Sequence, residues 1–304
     1  MKWNHDNIGD QSGRTAIVTG SNTGIGFEAA RALAKAGAHV TLACRNQTKA
    51  ADAKARIDAD ESPGTVSIAE LDLSNLASVR KFAEGFMAEH DVLHLLINNA
   101  GVMMPPKREE TSDGFELQIG VNHLGHFALT GLLLPLIAET PGARVVTVSS
   151  QAHRQGKIRF DDLNWEQGAY KRMAAYGQSK LANLLFTFEL QRRLDAAGID
   201  AKAVAAHPGW TATDLQRSTP TFNFLNRFFA MKRSKGALPT LRASLDPQVE
   251  GGEYFGPSGF YEMRGYPVKV GSTKQARNPV AASDLWEVSE RLTKVHYAAL
   301  VGAA

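Results

Sequence analysis

Short apolar runs alternate with longer, helix-favouring stretches through the first two-thirds of the chain. "RTAIVTG" (14–20) is a β-rich run closed by glycine, and "FEAARALAKAG" (27–37) has the Ala, Leu, Glu and Lys content of a helix, with Gly37 as its stop. The alternation continues with a strand at "HVTLAC" (39–44), a helix at "KAADAKARIDAD" (49–60) and a strand at "TVSIAELDL" (65–73). A helix at "LASVRKFAEGFMAEH" (76–90) and a strand at "VLHLLINNAG" (92–101) follow. "LQIGVNHLGHFALTGLLLPLIAE" (117–139) predicts a long apolar helix and "ARVVTVSS" (143–150) a fifth strand. After an insertion come a helix at "YGQSKLANLLFTFELQRRLDAAG" (176–198) and a strand at "IDAKAVAAHPG" (199–209). Strands alternating with helical patterns of this length imply βαβ units: an α/β fold with a doubly wound parallel sheet of Rossmann type. The strands are nearly continuous apolar runs, as expected of a sheet covered on both faces.

In such sheets ligands bind beyond the carboxyl ends of the strands. The unusual residues lie there: Gly20, Arg45, Asp72, Asn98 to Gly101, Ser149, Ser150, Pro208 and Gly209. The first strand–helix turn, "TGSNTGIG" (19–26), predicts a dinucleotide site. Gly20 permits the tight turn, and Gly24 and Gly26 let a pyrophosphate and the next helix approach the backbone. With Ser21, Asn22, Thr23 and Ile25 they form the loop that opens the helix, whose free N–H groups and positive dipole end suit phosphate.

Composition adds exclusions. A hydrophobic share of 43% with 21% charged residues is that of a soluble globular protein. A formal charge of +3 with no Lys/Arg run gives no footprint for nucleic acid. The single cysteine, Cys44, excludes an internal disulfide and fits a reducing, cytoplasmic setting. The polar start "MKWNHDNIGDQSGR" is no secretory signal, and the apolar stretch 127–138 is too short to cross a bilayer, so no stable membrane insertion is expected. No repeat or linker divides the chain, which predicts a single domain over 1–304 with its core at about 13–215. His123, His126, His153 and His207 have no metal-ligand spacing and read as structural or surface residues, so no metal is expected.

"YGQSK" (176–180) places Tyr176 and Lys180 one helical turn apart. With six tyrosines and fifteen lysines in the chain, roughly 0.3 such pairs are expected by chance, so the pair alone decides little. Its company decides more. The Gly-x-x-x-Gly-x-Gly turn, "NNAG" (98–101), "GVNHLGH" (120–126), "VSS" (148–150), "YGQSK" and "HPGWTAT" (207–213) stand in one order over residues 13–215. In that order they resemble the short-chain dehydrogenase/reductase family.

The resemblance implies a catalytic set of Asn122, Ser150, Tyr176 and Lys180. Ser149 competes with Ser150, and "SQA" favours Ser150 because the family's serine commonly precedes x-Ala. It also implies cofactor contacts from the glycine turn, from Asp72 with Leu73, from Asn99, Ala100 and Gly101, and from Pro208, Gly209, Thr211 and Thr213, besides Tyr176 and Lys180. Helix capping is the rival role for Asp72. NAD-specific members carry an acidic residue at the end of strand two; here Cys44 and Arg45 stand there, which implies NADP(H). A Lys180 ammonium about 5 Å from the phenol is expected to favour phenolate by roughly two pK units. Tyr176 would then be the general acid in carbonyl reduction and the base in alcohol oxidation. Asn122 would hold a water that connects Lys180 to solvent.

"ACRN", "VSSQAH…GKIRFDDL" and "YGQSKLAN" look most like the retinol dehydrogenase-like branch, whose members act on retinal or other lipophilic aldehydes and ketones with NADPH. The polar N-terminus departs from the anchored vertebrate retinol enzymes, which argues against retinal itself. The segment before Tyr176 predicts an added polar surface loop, and 214–236, with its phenylalanines, predicts a lid over an apolar substrate, with ordinary packing and contact with a membrane surface as rival readings. "GGEYFGPSGFYEMRGYPVKVG" (251–271) predicts a last strand with loops near the pocket, and "SDLWEVSERLTKV" (283–295) a helix capped by Ser283. Family likeness suggests a homodimer or homotetramer through the helices at 117–139 and 176–198, which the insertion before Tyr176 could obstruct, so the assembly stays open. The rival readings are a protochlorophyllide reductase-like enzyme and a non-catalytic NADP(H)-binding redox sensor. The complete four-residue set favours an enzyme.

Overall fold

The computed structural model describes residues 2–210 and 231–300. Six strands, β1 (Thr15–Thr19), β2 (His39–Cys44), β3 (Thr65–Glu70), β4 (Leu95–Asn98), β5 (Ala143–Val148) and β6 (Ala201–Ala206), lie close to their predicted places. β7 (Tyr254–Pro257) and β8 (Pro267–Lys269) complete one sheet in the order β3-β2-β1-β4-β5-β6-β7-β8. All pairings are parallel except β7 with β8, an antiparallel hairpin at the edge. The order reverses between β1 and β4, the switch point of a doubly wound fold.

Side-chain alternation gives the sheet two cores. On one face Ala16, Val18, Val40 and Leu42 pack with Leu33 of α1 (Gly24–Lys35) and with Leu238 and Leu241 of α6 (Arg233–Leu245). On the other, Ile17, Leu96 and Val145 meet Phe82 and Phe86 of α3 (Leu76–Glu89), Phe127 of α4 (Leu117–Glu139) and Phe186 of α5 (Arg172–Ala196). The polar-faced α2 (Gln47–Asp58) buries only Ala50, Ala53 and Ile57.

α4 has 23 residues, and its most apolar 18-residue window has a mean hydropathy of 1.4. By length and composition alone it is long enough to cross a membrane, which the shorter apolar stretch 127–138 did not suggest; its most apolar window is 78% buried in the fold. Its second turn, Gly120–Leu124, is π-helical, with the Gly125 amide bonding the Gly120 carbonyl. Such bulges displace one residue from the regular ladder. Here Asn122 lies inside the bulge.

Several expectations change. α6 is an additional helix: Gly236 and Pro239 interrupt its sequence, yet Ala237, Leu238 and Leu241 are buried against α1. Its first turn takes residues 233–236 from the segment expected to form a lid; residues 214–230 of that segment lie outside the described residues, as do Thr211 and Thr213. The insertion before Tyr176 is a packed loop: Ile158, Leu163 and Trp165 are buried, Arg159 lies 4.4 Å over the Trp165 ring, and the Tyr170 hydroxyl donates to Glu116 at 2.6 Å. The last helix, α7 (Pro279–Thr293), starts earlier than predicted; Asn278 caps it through Val280 N–H and Ala281 N–H, and Ser283 is interior. Pro279 at its first position explains the earlier start, because its fixed φ suits that site and its missing N–H is not needed there.

α7 lies across α4 and α5. Trp286 packs edge-on to Phe127 (5.1 Å) and stacks on Phe186 (5.9 Å), while Arg193 sits 4.4 Å over the indole. Tyr297 follows, its hydroxyl donating to the Phe127 carbonyl at 2.7 Å. Gly131 makes room for it: a Cβ there would approach the Tyr297 ring to 2.6 Å.

Candidate active site

Tyr176 and Lys180 lie in the second and third turns of α5, buried at 8% and 5% exposure. The Tyr176 phenol shares a hydrogen bond with Ser150, which lies two residues past β5 and caps the 151–155 turn, where its Oγ accepts Ala152 N–H. The two serines are not equivalent. Ser149 points the other way and donates to the Lys180 carbonyl at 2.8 Å, whereas Ser150 is half-buried and faces the phenol. Lys180 Nζ lies 5.8 Å from the Tyr176 ring centre and donates to the Val148 carbonyl at 3.0 Å.

The electrostatics differ from the expectation of a lowered phenol pKa. Burial pushes Tyr176 up to about 12, against a smaller lowering by the Ser150 hydrogen bond. Burial also pulls Lys180 down to about 8. Removing a charge from water outweighs the attraction between two groups that share a nearly dry site. The protein's own side chains thus hold Tyr176 as a neutral proton donor.

The Asn122 side chain is already engaged within the protein. Its Oδ1 accepts Val102 N–H (2.7 Å), and its Nδ2 donates to the Val102 carbonyl (3.0 Å) and to Ser179 Oγ (2.9 Å). The side chain therefore clips the segment after "NNAG" to α4, and its main-chain carbonyl is what remains for a water. His126, one turn on, bonds that carbonyl through Nδ1 at 3.1 Å. A carbonyl only accepts, so Nδ1 carries the proton and Nε2 takes the Thr19 hydroxyl at 2.9 Å. Thr19 Oγ1 in turn accepts the amides of Asn99 and Ala100, both at 2.9 Å. One neutral imidazole thus joins α4 to the cofactor turn, and burial keeps it neutral by lowering its pKa to about 4. Sequence reasoning gives His126 no part in the site. Its place at i+4 from Asn122, on the same helix face, is the signal that could have found it. None of the four histidines is at the surface: His123, His126, His153 and His207 are all buried.

The glycine turn fits a dinucleotide by its tightness. Gly20 and Gly24 have φ of +64° and +65°, and a Cβ on Gly26 would stand 2.4 Å from Asn99 Nδ2, whose amide donates to the Thr19 carbonyl at 2.8 Å. A Cβ on Gly101 would reach 3.1 Å from Asn122 Oδ1 and 3.7 Å from Lys180 Nζ, which places the "NNAG" turn beside the catalytic pair. Ser21 is held below the turn by the Val18 carbonyl (2.7 Å). Asp72 accepts the amide and hydroxyl of Ser74, while Asn75 is the cap of α3, so the capping rival for Asp72 falls to its neighbour. Leu73 is buried. Arg45 stands exposed at the end of β2, with no hydrogen bond or ion pair among the described residues. At the end of β6, Gly209 has φ +65° and stands against the Glu262 and Met263 carbonyls, with Pro208 before it. Among the described residues no group of three His, Cys, Asp or Glu side chains could hold a metal.

The sequence pattern described as short chain dehydrogenase matches residues 14–223. The chain belongs to the short-chain dehydrogenase family. Within the family it is similar to mouse retinol dehydrogenase 12, at 44% identity over 94% of this chain and 88% of that protein. Human retinol dehydrogenase 11 is also 44% identical, over 91% of this chain and 85% of its own length. An uncharacterized protein from Mycobacterium Paratuberculosis, known from a crystal structure, is 42% identical with a TM-score of 0.83 over 98% of this chain and 99% of that one. These relatives place this short-chain dehydrogenase in the retinol dehydrogenase-like branch. It is an oxidoreductase that uses a nicotinamide cofactor and acts on small substrates.

Proposed function

We propose that the chain is an NADP(H)-dependent enzyme acting between a lipophilic aldehyde or ketone and the corresponding alcohol. The contact between Ser150 and the neutral Tyr176 phenol, with Lys180 one turn on, carries the reaction class. The bound nicotinamide supplies the hydride in reduction and takes it in oxidation. Ser150 holds the substrate oxygen and stabilises its developing charge. Tyr176 gives its proton to that oxygen in reduction and removes it in oxidation. Lys180 remains the nearest cation, and the Asn122 carbonyl, with one lone pair taken by His126, is the acceptor through which a water would lead to solvent. Gly20 to Gly26, Asp72, Leu73, Asn99 to Gly101, Pro208, Gly209, Thr211 and Thr213 would hold the cofactor.

Arg45 supports NADP(H). An exposed guanidinium with no partner among the described residues, just past β2, suits a 2′-phosphate, and β2 itself ends in Cys44 rather than a carboxylate. One such charge-assisted bond contributes roughly 1.5–3 kcal/mol, about 10- to 150-fold in affinity. Arg45→Ala is therefore expected to weaken NADPH binding by about that factor and leave NADH binding nearly unchanged, as read by fluorescence titration of both. An unchanged NADPH affinity would remove Arg45 from the site.

A lipophilic carbonyl follows from the branch, since the mouse and human relatives are named for retinol, and a cytoplasmic setting is consistent with the lone buried Cys44. The deciding assay is NADPH consumption across aromatic aldehydes, long-chain enals, retinal and steroid ketones. Tight NADPH binding with no turnover would favour the sensor reading.

A further inference from the structure

The loop between β7 and β8 meets the segments that follow β5 and β6, and its backbone is unusual. Tyr261 and Glu262 have φ of +49° and +53°, two successive non-glycine residues in the left-handed region. Strain of this kind persists only where the surroundings impose it. Here the imposing contacts converge on one carboxylate. Glu262 accepts from Gln151 Nε2, from His207 Nε2 at 2.9 Å and from Arg154 at 3.1 Å.

The proton positions are determined. His207 Nδ1 accepts the Gly209 amide at 3.2 Å, so Nε2 carries the hydrogen and donates to Glu262. His207 is completely buried, and β7 leaves room for its ring only because residue 256 is glycine: a Cβ there would lie 2.0 Å from Nε2. Gln151 directly follows Ser150, and His207 directly precedes Pro208 and Gly209. Backbone closes the same junction, with Trp210 N–H donating to the Met263 carbonyl at 2.8 Å. The clamp thus joins the two strand ends flanking the catalytic centre to the loop that carries Phe260 and Tyr261. Those rings pack edge-to-face at 4.3 Å and are 77% and 75% exposed.

We infer that Glu262 is a positioning residue that fixes this loop against Gln151 and His207, so that Phe260 and Tyr261 form an aromatic rim selecting substrates by their apolar tails. This rests on the carbonyl-reductase reading above. The rim acts on the part of the substrate remote from the reacting oxygen, so it changes discrimination between long and short carbonyls rather than the proton transfer.

The test compares kcat/KM for decanal and for butanal with NADPH in wild type, Glu262→Ala and the double variant Phe260→Ala/Tyr261→Ala. The ratio of decanal to butanal is expected to fall about tenfold in both variants, the usual range when a substrate tail is deprived of its apolar wall. A merely structural defect scales both substrates together and leaves the ratio in place, and that result would overturn the inference. Hydrogen exchange of the 258–266 amides gives a readout independent of turnover. It is expected to quicken in Glu262→Ala and not in the double variant, and unchanged exchange in Glu262→Ala would overturn the clamp. If wild type reduces neither aldehyde, the rim inference is overturned, the carbonyl reading is decided separately by the broader panel above, and the exchange result still decides the clamp.

Discussion

Tyr176→Phe is expected to lower kcat/KM for carbonyl reduction by at least about a hundredfold while NADPH binding stays close to wild type. The phenol is the acidic side chain hydrogen-bonded to Ser150, and phenylalanine keeps the ring while deleting that proton. Packing should survive the change: the ring is nearly buried, and the hydroxyl removed leaves Ser150 still able to accept Ala152 N–H. Steady-state kinetics alongside an NADPH titration separate the two effects. A variant that retains more than a tenth of wild-type kcat/KM would transfer the acid role elsewhere.

Lys180→Met is expected to abolish most activity and yet raise stability at neutral pH. Burial lowers the Lys180 pKa from 10.5 to about 8, so the folded chain holds its proton less tightly than the unfolded chain does. The cost is fully present below pH 8, and wild-type stability recovers as pH rises from about 8 to 10.5, where the unfolded lysine also loses its charge. A shift of that size corresponds to about 3 kcal/mol. Methionine removes the buried charge and keeps most of the apolar stem. The Val148 carbonyl left behind still accepts from Asn183 at 3.0 Å. Thermal melts at pH 7 should show the variant roughly 4–10 °C higher, with the gap closing toward pH 10.5. The wild-type rate of reduction should decline above about pH 8 as the ammonium is lost. A variant less stable than wild type at pH 7 would mean that Lys180 is held by more than the Val148 carbonyl.

The strands were legible because each is a short apolar run, and β2 occupies the very residues its pattern marked. The site's neighbourhood was legible for a related reason: in a parallel sheet the carboxyl ends converge, so the odd residues that close each strand must lie together. What stayed hidden depended on tertiary partners. Pro239 and Gly236 disguised α6, which is helical because its apolar residues are buried on α1 and the sheet. The burial of Tyr176 and Lys180, which reverses the expected direction of the phenol pKa, cannot be read from their spacing. Neither can the path from Asn122 through His126 to Thr19, whose members lie 107 residues apart at its last link. The Glu262 clamp is hidden for the same reason, since its histidine is 55 residues upstream.

The position of α7 restricts how copies of this chain could come together. The helix pair α4 and α5 was the expected contact surface for a second copy, but Trp286 and Tyr297 already occupy the aromatic ground around Phe127 and Phe186. A neighbour could reach that ground only by peeling α7 away, along with the Arg193–indole contact and the Tyr297 hydrogen bond. The catalytic helix is therefore braced from within its own chain. The helix that carries Tyr176 and Lys180 is covered at Phe186 and Arg193 by a segment that is always present at its own chain's concentration.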